Sequence, residues 1–76
     1  MNKDYDGKNV TNFVGKNIER IRSERNLTIN QLSNLSNISE TTILAAETGK
    51  LNLTIIELIY IASSLDVEVK ELLYMN

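Results

Sequence analysis

The 76-residue chain contains no cysteine, histidine or proline, and it has only three glycines. The absence of cysteine excludes disulfides, thiolate metal sites and cysteine nucleophiles. The absence of histidine removes the commonest general base and metal ligand. The remaining polar residues show no spacing that joins a nucleophile to a base, and there is no glycine-rich phosphate loop. We therefore expect neither enzymatic activity nor a bound metal or cofactor.

The hydrophobic segments of secreted and membrane proteins are also missing. Residues 1–7 lack the apolar run of a signal peptide. The densest apolar stretch, residues 51–65, is interrupted by polar side chains and is too short to span a bilayer. We expect a cytoplasmic protein with one small domain, whose size favours association with a second copy.

The net charge of −2 is divided unevenly along the chain. Residues 1–50 contain seven Lys or Arg and six Asp or Glu, a net charge of +1, whereas residues 51–76 contain one and four, a net charge of −3. A polyanion would therefore contact the first two thirds of the chain. The strongly basic composition of many nucleic-acid-binding domains is absent.

Helical spacing of apolar residues predicts an all-α domain over residues 11–76. Residues 1–10 are mostly polar and predict a flexible N-terminal arm. The first helix is expected from residue 11 or 12 to residue 25, with an apolar stripe formed by Val14, Ile18 and Ile21. Gly15 within this helix is unfavourable by about 1 kcal/mol relative to alanine.

Polar caps predict the other four helices. Capping boxes begin at Thr28 and Thr54, and Ser39 can cap a helix between them. Asn37 and Gly49 tolerate the left-handed conformation that ends helices. We expect these helices to follow Thr28 through Leu35, Ser39 to Gly49 and Thr54 to about Leu65, and a last one over residues 68–74.

The segment from Thr28 to Glu47 has the spacing of a helix-turn-helix. Its two predicted helices are joined by Ser36-Asn37-Ile38, and the second helix of such a motif can lie in the major groove of DNA. Because any compact α-helical bundle contains a similar pair, the spacing alone leaves DNA binding open.

Residues 14–73 resemble the lambda-repressor/Cro-like, or XRE, family of helix-turn-helix domains. The matching segments lie in register with one another: residues 18–28, Gln31-Leu32-Ser33, Asn37-Ile38-Ser39, Thr42-Ile43, residues 47–50 and residues 55–67. The resemblance implies a five-helix lambda-repressor-like domain that binds specific double-stranded DNA and regulates transcription. Within the family, residues 36–38 and 52–55 are most similar to the controller proteins of restriction-modification systems.

The resemblance also implies an ion pair between Arg22 and Glu47, which would tie the first helix to the end of the recognition helix. A guanidinium group can bind a carboxylate through two hydrogen bonds, and its remaining donors can reach a phosphate. Arg22 is therefore expected either to hold the fold alone or also to contact the DNA backbone.

The recognition helix is expected to begin at Ser39 and to present several side chains to the groove. The candidates for base contact are Ser39, Glu40, Thr41, Thr42 and Ala45, and Leu44 is also expected to face the groove. Thr41 has a hydroxyl group for hydrogen bonding and a methyl group for contact with thymine. Glu40 can accept a hydrogen bond from cytosine, but it repels phosphates. Family members often have Arg or Gln near Glu40 and Ala45, so DNA shape is expected to contribute to recognition here.

Phosphate contacts are expected on both sides of the recognition helix. The candidates are Lys16, Arg20, Arg22, Thr28, Ile29, Lys50 and Asn52. Ile29 stands where the family usually has a phosphate-binding Gln, but the backbone amides at this helix start can still bind an anion.

The fourth helix carries more apolar residues than one core-facing stripe requires. Ile55, Leu58, Ala62 and Leu65 suffice for that stripe. The surplus on this helix consists of Ile56, Ile59 and Tyr60, and Tyr74 and Met75 near residue 76 add to it. Either these residues fill a larger monomer core or they form a two-fold homodimer interface. A dimer would place two recognition helices one DNA turn apart on a palindromic operator.

A second function fits the same predicted fold. The acidic C-terminal part, Glu40 and the absence of Arg from the recognition helix favour a protein-interaction module, such as an antitoxin or an adaptor. Such a module would show no salt-sensitive binding to a duplex library, whereas a DNA-binding regulator would.

Overall fold

The computed structural model describes residues 7–74, with side-chain surroundings from residue 10 onward. Within this range the chain forms five helices and no strands, and the elements are α1 (Gly7–Glu24), α2 (Ile29–Ser36), α3 (Glu40–Glu47), α4 (Ile55–Ser64) and α5 (Val69–Leu72). The predicted all-α fold with five helices is thereby confirmed. None of the helices in these residues is long and apolar enough to cross a membrane.

Helix α1 begins at Gly7, earlier than its predicted start at residue 11 or 12. Residues 7–10 of the predicted arm are therefore helical, and residues 1–6 lie outside the described residues. Val10 and Phe13 pack against the core, and Val10 continues the apolar stripe one helical turn before Val14. Because packing of an apolar face stabilises a helix more than local propensity does, the helix extends through this polar stretch.

All five helices contribute to one apolar core. The largest fully buried side chains among the described residues are Ile18, Leu32, Ile43, Ile61, Leu65 and Leu72. On α4 the core-facing residues are Leu58, Ile61, Ala62 and the C-cap Leu65. The prediction that Ile55 faces the core is wrong, since its side chain is 61% exposed. The stripe is complete without it because Ile61 occupies the position between Leu58 and Leu65.

The predicted caps fix where the helices begin and end. Capping boxes form at Thr28 and Thr54, and the Ser39 side chain accepts a hydrogen bond from the Thr42 amide. At the end of α2, Asn37 is left-handed with φ 62°. Residues 37–39 therefore form the turn between α2 and α3, one residue later than predicted.

Helix α5 ends at Leu72 and is shorter than the predicted helix over residues 68–74. The cause is a buried amide on α1. Asn17 Nδ2 donates hydrogen bonds to the backbone oxygens of Leu72 and Tyr74, both at 2.8 Å. Because these carbonyls are bound to α1, the chain after Leu72 runs along α1 instead of continuing the helix.

Candidate nucleic-acid interface

Helices α1 and α3 approach each other closely at Gly15. A Cβ atom on Gly15 would lie 2.0 Å from the backbone oxygen of Ala46 and 3.2 Å from the Cα atom of Glu47. Real side chains do not tolerate such distances, so only glycine permits this contact. Gly15 lowers the helix propensity of α1, but it allows α3 to pack closely against α1.

Arg22 and Glu47 join the same two helices by an ion pair. Arg22 Nε lies 2.7 Å from Glu47 Oε2, and Arg22 Nη2 lies 3.0 Å from Glu47 Oε1. A third donor, Nη1, reaches the backbone oxygen of Leu27 at 2.8 Å. The Glu47 side chain is 1% exposed and the Arg22 side chain 14%. The hydrogen bond to Glu47 raises the pKa of Arg22 above its ordinary value, so the guanidinium stays charged.

The far side of α3 faces solvent. Ile43, Ala46 and Glu47 point inward, and at helical spacing the opposite side is formed by Thr41, Leu44, Ala45 and Thr48. We call these four residues the α3 face. Leu44 is 51% exposed at its centre. An eight-residue helix held on one side by α1 and bare on the other has the shape needed to enter a major groove.

The hydroxyl groups of three predicted base-contact residues, and that of Thr48 on the α3 face, differ in the hydrogen bonds that they make. Ser39 Oγ caps α3 and also donates a hydrogen bond to Thr42 Oγ1 at 2.9 Å. Thr48 Oγ1 donates to the backbone oxygen of Leu44 at 2.9 Å. Within the described part of the chain, the Thr41 hydroxyl makes no hydrogen bond. Of these residues, Thr41 therefore has the most available polar group.

The first turns of α2 and α3 lie side by side. Asn30 Nδ2 of α2 donates a hydrogen bond to Glu40 Oε2 of α3 at 3.0 Å. Both side chains are exposed. This hydrogen bond links the first turns of α2 and α3, whose backbone amides carry partial positive charge. Residues 26–49 contain no Lys or Arg, so these helix ends are the source of positive charge within the helix-turn-helix itself.

The predicted phosphate contacts after α3 lie in an anchored loop. The amides of Gly49 and Lys50 donate hydrogen bonds to Ala46 and Ala45, and Gly49 is left-handed with φ 76°. Thr11 Oγ1 of α1 donates to Asn52 Oδ1. The side chains of Lys50 and Asn52 are exposed, so both are available beside the C-terminal end of α3.

Three further phosphate candidates belong to the start of α2 and to α1. The Ile29 side chain packs against the core, so only its backbone amide can reach a phosphate. The Thr28 side chain accepts a hydrogen bond from the Gln31 amide as the N-cap of α2. Lys16 is exposed and follows directly after Gly15, the residue that contacts α3.

Arg20 is not brought together with the other candidates. It lies about 140° around α1 from Gly15, and it forms an exposed ion pair with Glu24 at 3.4 Å. Both residues line a groove with Val67 and Glu71, on the side of α1 away from α3. Arg20 therefore lies apart from the other predicted phosphate contacts.

Helix α4 exposes a continuous apolar surface. Ile55, Ile56, Ile59 and Tyr60 are each about half exposed or more, and their spacing places them on one side of the helix. We call these four residues the α4 face. Tyr74 is also exposed, but it lines the groove beside Arg20 on α1. Met75 lies outside the described residues.

Sequence reasoning missed three contributors to this interface. Thr48 shares the α3 face because it lies seven residues after Thr41, a spacing visible in the sequence. Asn30 supports Glu40 through a hydrogen bond between helices, and no local pattern predicts it. The role of Gly15 could have been inferred only from the presence of glycine at a position where helix propensity disfavours it.

Comparison of the sequence and structure with known proteins identifies a family and several similar structures. Residues 17–76 match the model of the Cro/C1-type helix-turn-helix DNA-binding domain. The restriction-modification controller protein C.AhdI from Aeromonas hydrophila matches with a TM-score of 0.77 and 25% identity, over 83% of this chain and 92% of that chain. A variant of the restriction-modification controller protein C.Esp1396I matches with a TM-score of 0.75 and 34% identity, over 78% of this chain and 75% of that chain.

A third similar structure shares the fold alone. The DNA-binding domain of BldD matches with a TM-score of 0.79 and 21% identity, over 91% of this chain and 100% of that chain. No curated protein sequence matches this chain.

Proposed function

Because the chain belongs to the family of Cro/C1-type helix-turn-helix DNA-binding domains, we propose that it is a sequence-specific transcription regulator. It binds a palindromic operator in double-stranded DNA as a homodimer, in the cytoplasm, and it catalyses no reaction. The observation that carries the proposal is the α3 face, which is solvent-exposed while the opposite side of α3 is locked onto α1.

The α3 face supports direct contact with base edges. A helix entering the major groove contacts bases through its outward side chains, chiefly near its N-terminus. Thr41 lies in the first turn of α3 with a free hydroxyl group, and Glu40 beside it is held by Asn30. Ser39 caps the helix by accepting from the Thr42 amide, and its hydroxyl donates to Thr42 Oγ1, so both residues support the start of α3. Ala45 lies one turn after Thr41 on the same side.

Phosphate binding relies on helix ends and on a few cations around the motif. At the start of α2, the Ile29 amide presents partial positive charge to one strand, whereas the Thr28 amide donates to Gln31 Oε1 within the capping box. Lys16, Lys50 and Asn52 lie beyond the other end of α3, and Arg22 keeps N–H donors that neither Glu47 nor the Leu27 carbonyl uses. This small set predicts low affinity for arbitrary DNA and leaves much of the operator affinity to base contacts.

The α4 face supports a homodimer. It consists of three isoleucines and one tyrosine without a charged side chain, and an apolar patch of this kind marks an interaction surface. A second copy is the occupant that we propose, because a two-fold axis pairs the patch with itself. A single eight-residue recognition helix reads few base pairs, and the dimer supplies a second one. Ile56, Ile59 and Tyr60 lie on this face, and Tyr74 and Met75 would extend the contact.

We also propose that the operator controls restriction-modification genes. The support is similarity to two proteins described as restriction-modification controllers, at 34% and 25% identity. Adjacent genes for a methyltransferase and an endonuclease would support this role, and an adjacent toxin gene would contradict it.

An antitoxin or adaptor on the same fold is the second candidate. The observation that favours it is the charge of the helix-turn-helix, in which residues 26–49 hold no Lys or Arg and Glu40 stands at the tip of α3. In this case the α4 face would bind a different protein.

The decisive experiment is selection of duplexes from a randomised library, followed by affinity measurements at several salt concentrations. We expect a palindromic consensus and salt-sensitive binding. Thr41→Val and Glu40→Gln should change the preferred bases within each half-site. If no duplex is enriched, the regulator proposal fails and the interaction module is favoured.

A further inference from the structure

We propose that the α3 face recognises thymine methyl groups, so that each operator half-site presents thymines to Leu44 and its neighbours. This inference rests on the proposed function and names the chemistry that the recognition helix reads. It assigns specificity to Leu44 and Thr48 in addition to Thr41.

Leu44 is the central observation. Its side chain is 51% exposed in the middle of a surface that would lie against base edges. In the major groove, the apolar group presented by a base pair is the C5-methyl group of thymine. Contact with that methyl group removes both apolar surfaces from water, whereas contact with cytosine, adenine or guanine would cover polar atoms without satisfying them.

The rest of α3 offers little for reading other bases. The helix sequence ETTILAAE contains no Arg, Lys, Asn or Gln, so it has no side chain that can bind guanine or adenine through two hydrogen bonds. Thr48 directs its hydroxyl to the backbone oxygens of Leu44 and Ala45, at 2.9 and 3.3 Å. Its only hydroxyl proton is thus used within the helix.

The α3 face is therefore a surface of aliphatic groups with one available hydroxyl. Leu44, Ala45 and the methyl groups of Thr41 and Thr48 form the aliphatic part. The Thr41 hydroxyl can donate a hydrogen bond to thymine O4, which lies beside the C5-methyl group on the same base edge. The two kinds of contact select the same base.

The test removes single methyl groups from the DNA. In the best duplex from the library selection, thymines in both half-sites are replaced one at a time by deoxyuridine, and the dissociation constant is measured by fluorescence anisotropy at fixed salt. Burial of one methyl group corresponds to about a fourfold change in affinity. We expect a weakening of that size for wild-type protein at one or more thymines in each half-site.

Protein variants connect the lost methyl group to the side chain. Leu44→Ala should bind the thymine and uracil duplexes equally at the affected position. Thr48→Ser keeps the hydroxyl but loses the methyl group, so it should reduce the effect of uracil replacement at the thymine that Thr48 contacts. Thr48→Val keeps the methyl group and should retain that effect. Leu35→Ala on α2, where the leucine is also exposed, should retain full sensitivity, and thermal melts of all variants check that they are folded.

The outcomes separate this inference from the proposed function. If wild-type protein binds a palindromic duplex but is insensitive to every uracil replacement, the methyl inference is overturned and the regulator stands. Full sensitivity in Leu44→Ala and Thr48→Ser overturns it in the same way. If no duplex is bound, both fail.

Discussion

Gly15 of α1 lies against the backbone carbonyl of Ala46 in α3, with no space between them for a side chain. Seven residues after Gly15, Arg22 holds Glu47, the neighbour of Ala46, by two hydrogen bonds. The recognition helix is thus fixed from behind by one close backbone contact and one ion pair. Because both lie on the buried side of α3, they set its position without occupying the α3 face.

Replacement of Gly15 by alanine tests the close contact, because two effects predict opposite signs. Helix propensity alone predicts stabilisation by about 1 kcal/mol. The Cβ atom would force α3 away from α1, and overpacking of this kind costs about 1–3 kcal/mol. We expect Gly15→Ala to lower the free energy of unfolding in urea and to weaken DNA binding. Ser23→Ala, at an exposed position of α1, is the control, and a gain of stability in Gly15→Ala would refute the contact.

Removal of Arg22 should be strongly destabilising. Arg22→Ala leaves Glu47 buried without its partner, and loss of one member of a buried pair costs about 3–5 kcal/mol. A domain of this length has a free energy of unfolding of only about 4–11 kcal/mol. Urea denaturation should show the loss. Arg20→Ala breaks only the exposed pair with Glu24 and should change stability by less than about 1 kcal/mol, so equal losses in the two variants would contradict the assigned role.

The buried amide of Asn17 should be needed to hold the C-terminal part of the chain. Asn17→Ala leaves the carbonyls of Leu72 and Tyr74 without their donor, and the buried Leu72 carbonyl then costs about 1–3 kcal/mol as an unsatisfied group. Asn17→Asp should be worse, because a carboxylate would face two carbonyl oxygens. Thermal melts and amide exchange in α5 measure the effect. Asn34→Asp, on the exposed side of α2, is the matched control and should be nearly neutral.

The sequence predicted most of the fold because its helix ends depend on local chemistry. The boxes at Thr28 and Thr54 and the left-handed residues Asn37 and Gly49 formed as expected. Errors arose where distant contacts override local preference. Val10 packs on the core, so the polar residues around it become part of α1. Asn17 of α1 binds the backbone oxygens of Leu72 and Tyr74, so α5 ends earlier than predicted.

The candidate site was less predictable than the fold. Helical spacing identifies which side of α3 is outward, and the structure agrees at Thr41 and Leu44. The sequence gives no indication that Arg20 lies away from α3, because this depends on how α1 packs. The fixing of Glu40 by Asn30 depends equally on the angle between α2 and α3.

The α4 face provides a test of assembly that is separate from DNA binding. Ile59→Glu places a charge in the proposed dimer contact, so we expect a monomer in sedimentation equilibrium at concentrations where wild-type protein is a dimer. Leu44 on α3 is about as exposed as Ile59. The Leu44→Glu variant should therefore remain dimeric while losing operator binding. If wild-type protein sediments as a monomer at high micromolar concentration, the dimer proposal is wrong.

The salt dependence of binding should report which lysines contact phosphates. Each phosphate contact contributes about 0.9 to the slope of log affinity against log salt concentration. Lys50→Gln removes one contact per protomer and should reduce the slope by about 1.8 for a dimer. Lys70→Gln, in α5 beside Glu68, should leave the slope unchanged. The same slope for wild-type protein and Lys50→Gln would exclude Lys50 from the interface.

The absence of Lys and Arg from residues 26–49 affects how the regulator finds its target in a cell. A protein with few phosphate contacts spends little time on random chromosomal sequence. Bulk DNA would then sequester few copies, and most of the pool would stay free to associate into dimers. Occupancy of a single promoter would rise steeply within a narrow range of copy number, a property suited to a timing switch.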